Sequence, residues 1–260
     1  MSGAVFATTL RLRLMTAVLA GVGMLAVILM VGALFPSVGD SIGKLNVPDG
    51  VANLLGGADY GTITGWMRSE IGAIYGPLVI AASAIAAAAA TTAGEEESGI
   101  LGLVLAHPVA RGRVMLAKGG AVAVVVVIVA AGTWLGLLAG VAAAGGGISL
   151  ADMTALAVQL ACFGFTFGAL ALALAGITGR KAVAAAGAGS FGVLAFLVNG
   201  FAPLVDGLDW LKYLSPFYWY AGHDPLTNGL FVGGLVVLLV TTAVLVVVAV
   251  VGFGHRDLRA

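Results

Sequence analysis

Charged residues are scarce in this chain. Of its 260 residues only 9% are charged, and 61% are hydrophobic. A water-soluble domain usually carries about a quarter charged residues, so this composition excludes an ordinary soluble protein and predicts an integral membrane protein. The formal net charge is zero, and no nucleic-acid partner is expected.

Cysteine and histidine are also scarce. The one cysteine, Cys162, lies in an apolar run, so an intrachain disulfide and a Cys-rich metal site are excluded. We interpret Cys162 as a small buried hydrophobic residue. The three histidines, His107, His223 and His255, lie in predicted loops without the spacing of metal ligands. No metal site is therefore expected.

The motifs of several enzyme classes are missing. There is no G-x-x-x-x-G-K-[ST] phosphate loop, so the chain does not bind ATP in the usual P-loop manner, and there is no G-x-S-x-G elbow. The glutamates at 95–97 are similar to those of intramembrane prenyl-protein proteases, but the arginine that those proteases need is replaced by Ile100 or Leu101. The sequence thus predicts a non-catalytic protein with no cofactor of its own.

Long apolar runs, by contrast, are abundant. A helix needs roughly 20 apolar residues to cross about 30 Å of hydrocarbon, where unpaired backbone groups are not tolerated. Six runs qualify: Leu14–Phe35, Ile71–Ala93, Gly119–Ala142, Met153–Thr178, Ala182–Leu204 and Leu230–Phe253. We interpret the first run as a retained helix and not as a cleaved signal peptide. The prediction is an all-α integral membrane protein with a single six-span domain over residues 1–260.

None of these runs contains Asp, Glu, Lys, Arg or His. Ion-coupled carriers usually need such groups at depth, so the sequence disfavours that class. The glycine at every fourth position over 132–140 predicts a helix-packing surface. Milder polar residues within the spans are mostly expected to form hydrogen bonds between helices. They are Ser83, Thr91, Thr92, Thr133, Gln159, Thr166, Ser190 and Asn199. Ser83 and Asn199 are candidates for a translocation path.

The cations are distributed unevenly between the predicted loops. With six spans both termini lie on one side of the membrane, and that side carries nine cations against three on the other. The nine are Arg11, Arg13, Arg111, Arg113, Lys118, Arg180, Lys181, Arg256 and Arg259. The positive-inside rule then predicts a multi-pass protein of the cell membrane with cytoplasmic termini and a cytoplasmic loop at 94–118.

Two segments on the other side are neither short loops nor spans, namely residues 36–70 and 205–229. Pro203, Pro216 and Pro225 interrupt helices here, which predicts a re-entrant or interfacial element between spans five and six. Amphipathic side chains favour the membrane interface. The residues assigned to it are Trp210, Tyr213, Trp219, Tyr220 and, at the cytoplasmic side, Lys118. The alternative is that the aromatic cluster caps an exit path for a substrate.

The loop at 94–118 carries the densest charge in the chain. Three glutamates at 95–97 favour the positive dipole end of a helix, and apolar residues then recur at helical spacing over 100–105. Arg111, Arg113 and Lys118 follow at the mouth of the third span, where lipid phosphates can receive them. The pattern predicts a short amphipathic helix parallel to the membrane. Its acidic first turn is unusual for a helix that contacts only lipid, which indicates a soluble partner.

The same residues resemble a known family. Glu-Glu-Glu-Ser-Gly-Ile-Leu-Gly-Leu-Val-Leu-Ala-His-Pro-Val-Ala-Arg-Gly-Arg-Val from residue 95, followed by Lys118, is similar to the E-E-x-x-G-T-L-x-x-L-L-x-x-P-V-s-R signature of ATP-binding-cassette (ABC) transporter permeases of the second, exporter-like type. Leu214-Ser215-Pro216-Phe217-Tyr218, with Asp224-Pro225-Leu226 and Asn228-Gly229, resembles the segment before the last span of that family. Ile100 departs from the pattern, which usually has threonine there.

The resemblance implies that the loop between spans two and three is a coupling helix seated in a separate ATPase subunit. The residues implied in this coupling are Glu95, Glu96, Glu97, Leu101, Leu105, Arg111 and Arg113. It also implies two ATPase copies that bind ATP and Mg, a second copy of the permease or a paralogous permease, and a path lined by spans two and five. The uncharged spans favour export of a hydrophobic or amphipathic compound such as a drug, lipid or peptide.

Two other classes of function stay open at this point. An ion-coupled secondary transporter or channel would transport without an ATPase, and its lack of charged residues in the spans disfavours it. A polytopic membrane enzyme or scaffold is disfavoured by the lack of a nucleophile and base pair.

Overall fold

The computed structural model describes residues 2–42, 60–105 and 109–256. Within these ranges every regular element is a helix. Six helical segments are long and apolar enough to cross a membrane, which confirms the predicted fold class. These segments, called spans one to six, are Gly3–Gly39, Ile63–Glu97, Arg111–Ala143, Leu150–Thr178, Lys181–Leu204 and Val232–His255.

The helices follow one another as an up-and-down bundle with short elements at both ends. The elements of the first half are α1 (Ser2–Ile42), α2 (Ile63–Met67), a π-helix (Arg68–Tyr75), α3 (Gly76–Thr91), α4 (Ala93–Glu97), α5 (Ile100–Leu105) and α6 (Arg111–Ala143). Those of the second half are α7 (Leu150–Thr178), α8 (Lys181–Phe201), two 3-10 turns (Ala202–Leu204 and Asp209–Leu214), α9 (Pro216–Ala221), α10 (Pro225–Asn228) and α11 (Val232–His255).

The helices extend beyond the apolar runs that predicted them. Span three begins at Arg111, well before the predicted Gly119, and span two begins at Ile63, before Ile71. Hydropathy marks only the part of a helix that lies in hydrocarbon, whereas backbone hydrogen bonds continue through polar residues until the chain changes direction. The polar ends of the spans therefore belong to the same rigid helices as their apolar middles.

Span four lies at the centre of the bundle. Its most apolar window is 72% buried, whereas the corresponding windows of spans five and six are each 17% buried. The helix α7 contacts α3, α6, α8 and α11. Two of its polar residues form the interhelical hydrogen bonds predicted from the sequence, whereas the hydroxyls of Thr91, Thr92 and Thr133 donate instead to carbonyls four residues earlier in the chain. Gln159 Nε2 donates to the carbonyl of Tyr220 at 2.6 Å, and Thr166 Oγ1 lies 3.1 Å from Thr242 Oγ1.

Spans one and three pack with their backbones in close contact. A Cβ atom added at Gly132 would overlap the carbonyl of Gly21, and one added at Gly140 would lie 2.5 Å from the carbonyl of Ile28. Gly136 is nearly as close, since its added Cβ would lie 2.9 Å from the Cα of Leu25. The glycines at 132–140 therefore form the predicted packing surface, because no side chain separates the two helices there.

Two predicted segments take more detailed shapes in the structure. The loop between spans two and three contains two short helices, α4 and α5, because Gly99 between them has a positive φ of 75° that ends the first helix. The segment at 205–229 folds back into the bundle. Phe217 of α9 lies with its ring centroid 4.8 Å from that of Phe163 and 5.3 Å from that of Phe196.

The contact between spans one and three can be tested by adding one methyl group. We expect Gly132→Ala to destabilise the protein by about 1–3 kcal/mol, because the new Cβ forces the two backbones apart. Gly23→Ala is the matched control on α1, where a Cβ would meet no atom within 4 Å. It should be neutral or slightly stabilising. Thermal unfolding in detergent measures the stability of both variants, and equal midpoints would contradict the close packing of spans one and three.

Candidate functional site

The three glutamates of α4 each bind a different part of the bundle. Glu95 forms an ion pair with Lys118 of span three, and the same ammonium donates to the carbonyl of Thr91. The Lys118 side chain is 1% exposed. A buried charge needs a close counter-charge and hydrogen-bond partners, and Glu95 supplies the counter-charge here.

Glu96 and Glu97 extend this network to spans five and six. Glu96, whose side chain is 4% exposed, forms an ion pair with Arg256 directly after α11. Glu97 Oε1 accepts a hydrogen bond of 2.8 Å from the backbone N–H of Lys181. Lys181 is the first residue of α8. The acidic turn, defined here as residues 95–97, thus connects span two to spans three, five and six.

The remaining residues predicted for coupling are divided between the interior and the surface. Leu101 is 1% exposed and packs in the core, whereas its neighbour Ile100 is 50% exposed. Arg111 Nη1 donates to the carbonyl of Arg256 at 2.8 Å, and Arg113 is exposed. The side chain of Leu105 lies outside the described residues. The spacing predicts one apolar stripe, but Ile100 and Leu101 face different directions, because successive residues of a helix are rotated by about 100°.

An apolar cavity lies between spans two and five. It has a volume of about 490 Å³, and none of the described residues that line it is charged. The wall is formed by the π-helix and α3 on one side, by Gly189, Gly192 and Phe196 of α8 on the other, and by Phe167 and Phe217 at the back. This volume is typical of pockets for small molecules, and an apolar wall favours an uncharged, hydrophobic group.

The two residues predicted for the translocation path are not part of this wall. Ser83 and Asn199 are both partly exposed, and neither lines the cavity. Polar residues within the spans are the sequence feature that predicts a path, whereas the wall of this cavity consists of glycine, alanine, proline, aliphatic and aromatic residues. Phe167, Phe196 and Phe217 were missed because an aromatic residue in an apolar helix has no feature that separates a cavity wall from a core.

A second, polar cavity of about 230 Å³ lies at the end of the apolar one, and Ala73 lines both. Arg68 of the π-helix and Asp224 form an ion pair of 2.6 Å beside it. Asp224 has a left-handed backbone with φ of 50°, a strained conformation for a residue other than glycine. The pair therefore holds the segment between spans five and six against span two at this side of the bundle.

The residues assigned to the membrane interface also occupy two environments. Trp210 and Tyr213 are 57% and 48% exposed, and Trp219 Nε1 donates to the carbonyl of Tyr213 at 2.8 Å. Tyr220 is completely buried and donates to the carbonyl of Gly72 at 2.9 Å, and this burial raises the pKa of its phenol. Lys118 is likewise enclosed. Tyr220 and Lys118 thus bind partners inside the bundle, whereas Trp210 and Tyr213 are open to the surroundings.

The buried ion pair of Glu95 and Lys118 provides a test of this geometry. We expect Glu95→Ala to lower the free energy of unfolding by about 3–5 kcal/mol, because Lys118 stays buried without a counter-charge. Replacing both residues, with Glu95→Leu and Lys118→Met, should recover most of that loss.

The control for that test is Glu97→Ala. Its carboxylate is exposed, so the loss should be below about 1 kcal/mol. Thermal unfolding in detergent compares the four proteins. A Glu95→Ala variant as stable as the wild type would show that Lys118 is not enclosed as described.

Comparison with known proteins agrees with this architecture. A family described as the C-terminal domain of the multidrug efflux system permease Rv1217c matches residues 3–254. No curated protein matches the chain. The family match includes spans one to five, all but the last residue of span six, the acidic turn and both cavities. The chain therefore belongs to the family of the multidrug efflux system permease Rv1217c, C-terminal domain.

Proposed function

We propose that the chain is the membrane subunit of an exporter-like ABC transporter of the second type, driven by ATP hydrolysis on a separate ATPase. The observation that carries the proposal is the acidic turn, which connects a cytoplasmic loop to three other spans. A partner that moves this loop would move those spans with it. The absence of a phosphate loop from the sequence agrees with an energy source in another chain.

The partner surface of the loop consists of its exposed side chains. Ile100 is 50% exposed beside the acidic turn, and Glu97 and Arg113 are exposed near it. An exposed apolar residue with charges of both signs around it is the composition of a small protein interface. We place the ATPase here, on the cytoplasmic side that the distribution of cations predicts.

The transported compound would occupy the apolar cavity. Its wall offers hydrophobic contact and aromatic rings but no charge, so a hydrophobic or amphipathic drug-sized molecule fits it best. Spans two and five form most of the wall, and a second permease facing them would complete a central path. Closure of two ATPase subunits would then shift the population between inward-open and outward-open packings of the same helices.

The ATPase partnership has a direct test. The purified chain should not hydrolyse ATP, and co-expression with its ATPase should yield a complex that does. We expect Ile100→Asp to abolish this complex, because a charge that a partner desolvates is strongly unfavourable. Ile100→Thr, which introduces the residue of the ABC permease signature, is the control and should keep the complex.

The readouts are co-purification and ATP hydrolysis. Ile100 is exposed, so neither variant should change membrane insertion. Robust hydrolysis by the purified chain, or a normal complex with Ile100→Asp, would contradict the proposal.

Filling the cavity tests the transport path. A Cβ added at Gly189 meets no atom within 4 Å, although this residue lines the cavity. We therefore expect Gly189→Leu to occupy the space without disturbing the fold and to reduce export of a neutral hydrophobic dye such as Nile red at least about tenfold. Gly23→Leu, in equally open space on α1, should leave export unchanged. The rate of dye loss from loaded cells measures both, and equal rates would contradict a path through this cavity.

A further inference from the structure

We infer that Arg256, directly after span six, is a positioning residue that transmits movement of the acidic turn to spans three, four and six. The inference rests on the proposed function, since it needs an ATPase that moves the loop. Arg256 belongs to no motif of the loop or of the segment before span six. Its role follows from three contacts made by one residue.

The first contact is the ion pair with Glu96. The two side chains are 16% and 4% exposed, and 160 residues separate them in the sequence. An ion pair shielded from water is screened little by salt and resists separation. A displacement of the acidic turn therefore pulls directly on the end of span six.

The second contact uses the backbone of the same residue. The carbonyl of Arg256 accepts a hydrogen bond of 2.8 Å from Arg111 Nη1, in the first turn of α6. Arg256 thus binds Glu96 through its side chain and Arg111 through its main chain. The two ends of the cytoplasmic loop, at the acidic turn and at the start of span three, are joined through one residue.

The third contact is with the end of span four. Gly179 ends α7 in a left-handed conformation with φ of 60°, and a Cβ added there would overlap Nη1 of Arg256. The guanidinium therefore lies directly against the helix end. Spans four and six are also in close contact just above it, since Cβ atoms added at Gly176 and Gly252 would lie 2.7 Å from Ala249 and 2.8 Å from Ile177. A shift of Arg256 therefore changes its contact with the end of span four.

These contacts make a specific prediction about coupling. In the complex of this chain with its ATPase, a fluorescent label on Leu230→Cys, in a Cys162→Ala background, reports movement at the other end of span six. ATP with vanadate should change the label signal in the wild type. With Arg256→Gln the complex should assemble and hydrolyse ATP within about twofold of the wild type, but the label signal should change at least about fivefold less.

Three further variants separate positioning from general structure. Arg256→Lys keeps the charge and should retain part of the signal. The exchange of Glu96→Arg with Arg256→Glu should recover more of it than either single variant. Arg180→Gln, which removes an exposed cation next to Gly179, is the matched control and should behave as the wild type.

Two glycines provide an independent test of the role of Arg256. Gly179 and Gly207 both have positive φ values, of 60° and 82°, but a Cβ at Gly207 would meet no atom within 4 Å. Gly179→Ala and Gly207→Ala therefore both place a Cβ on a residue with positive φ, and only Gly179→Ala displaces Arg256. We expect Gly179→Ala to reduce the signal as Arg256→Gln does, and Gly207→Ala to leave it unchanged.

The outcomes distinguish the two proposals. A normal signal with Arg256→Gln in an assembled, hydrolysing complex overturns the role of Arg256 and leaves the proposed function intact. Loss of assembly with both Arg256→Gln and Arg256→Lys also overturns it, because the residue would then be needed only for folding. If the wild-type chain forms no complex with an ATPase, the proposed function fails and this inference fails with it.

Discussion

Hydrocarbon provides no hydrogen-bond partner, and the rest of this structure depends on that constraint. Every backbone group within the membrane must be paired inside the protein, so the chain crosses as helices. The same constraint confines charge to the helix ends. Lys118 and Arg256, near the ends of spans three and six, are enclosed only because Glu95 and Glu96 supply their counter-charges.

Between those ends the bundle is held by close packing. Lipid tails are as apolar as the helix surfaces, so association requires contacts that lipid cannot match. The glycines of span three allow its backbone to contact that of span one, and Thr166 bonds span four to span six. Spans two and five, in contrast, leave a cavity between them, and Phe217 lines the back of it.

The charged groups at the two ends of the bundle do different things. The acidic turn connects the loop between spans two and three to several spans, whereas Arg68 and Asp224 hold a single segment against span two. The apolar cavity extends toward that second pair and meets the polar cavity beside it at Ala73.

Patterns in the sequence are enough to predict the class of protein, the six spans, the glycine surface at 132–140 and the acidic loop. Each of these depends on residues close together in the chain, where hydropathy and spacing are informative. Other features are visible only in the three-dimensional structure. Glu96 binds Arg256 across 160 residues, Lys118 and Tyr220 are buried, and a cavity lies beside Phe196. These features depend on how each helix is rotated against its neighbours. A uniformly apolar helix has almost no amphipathic face, so its sequence does not specify that rotation.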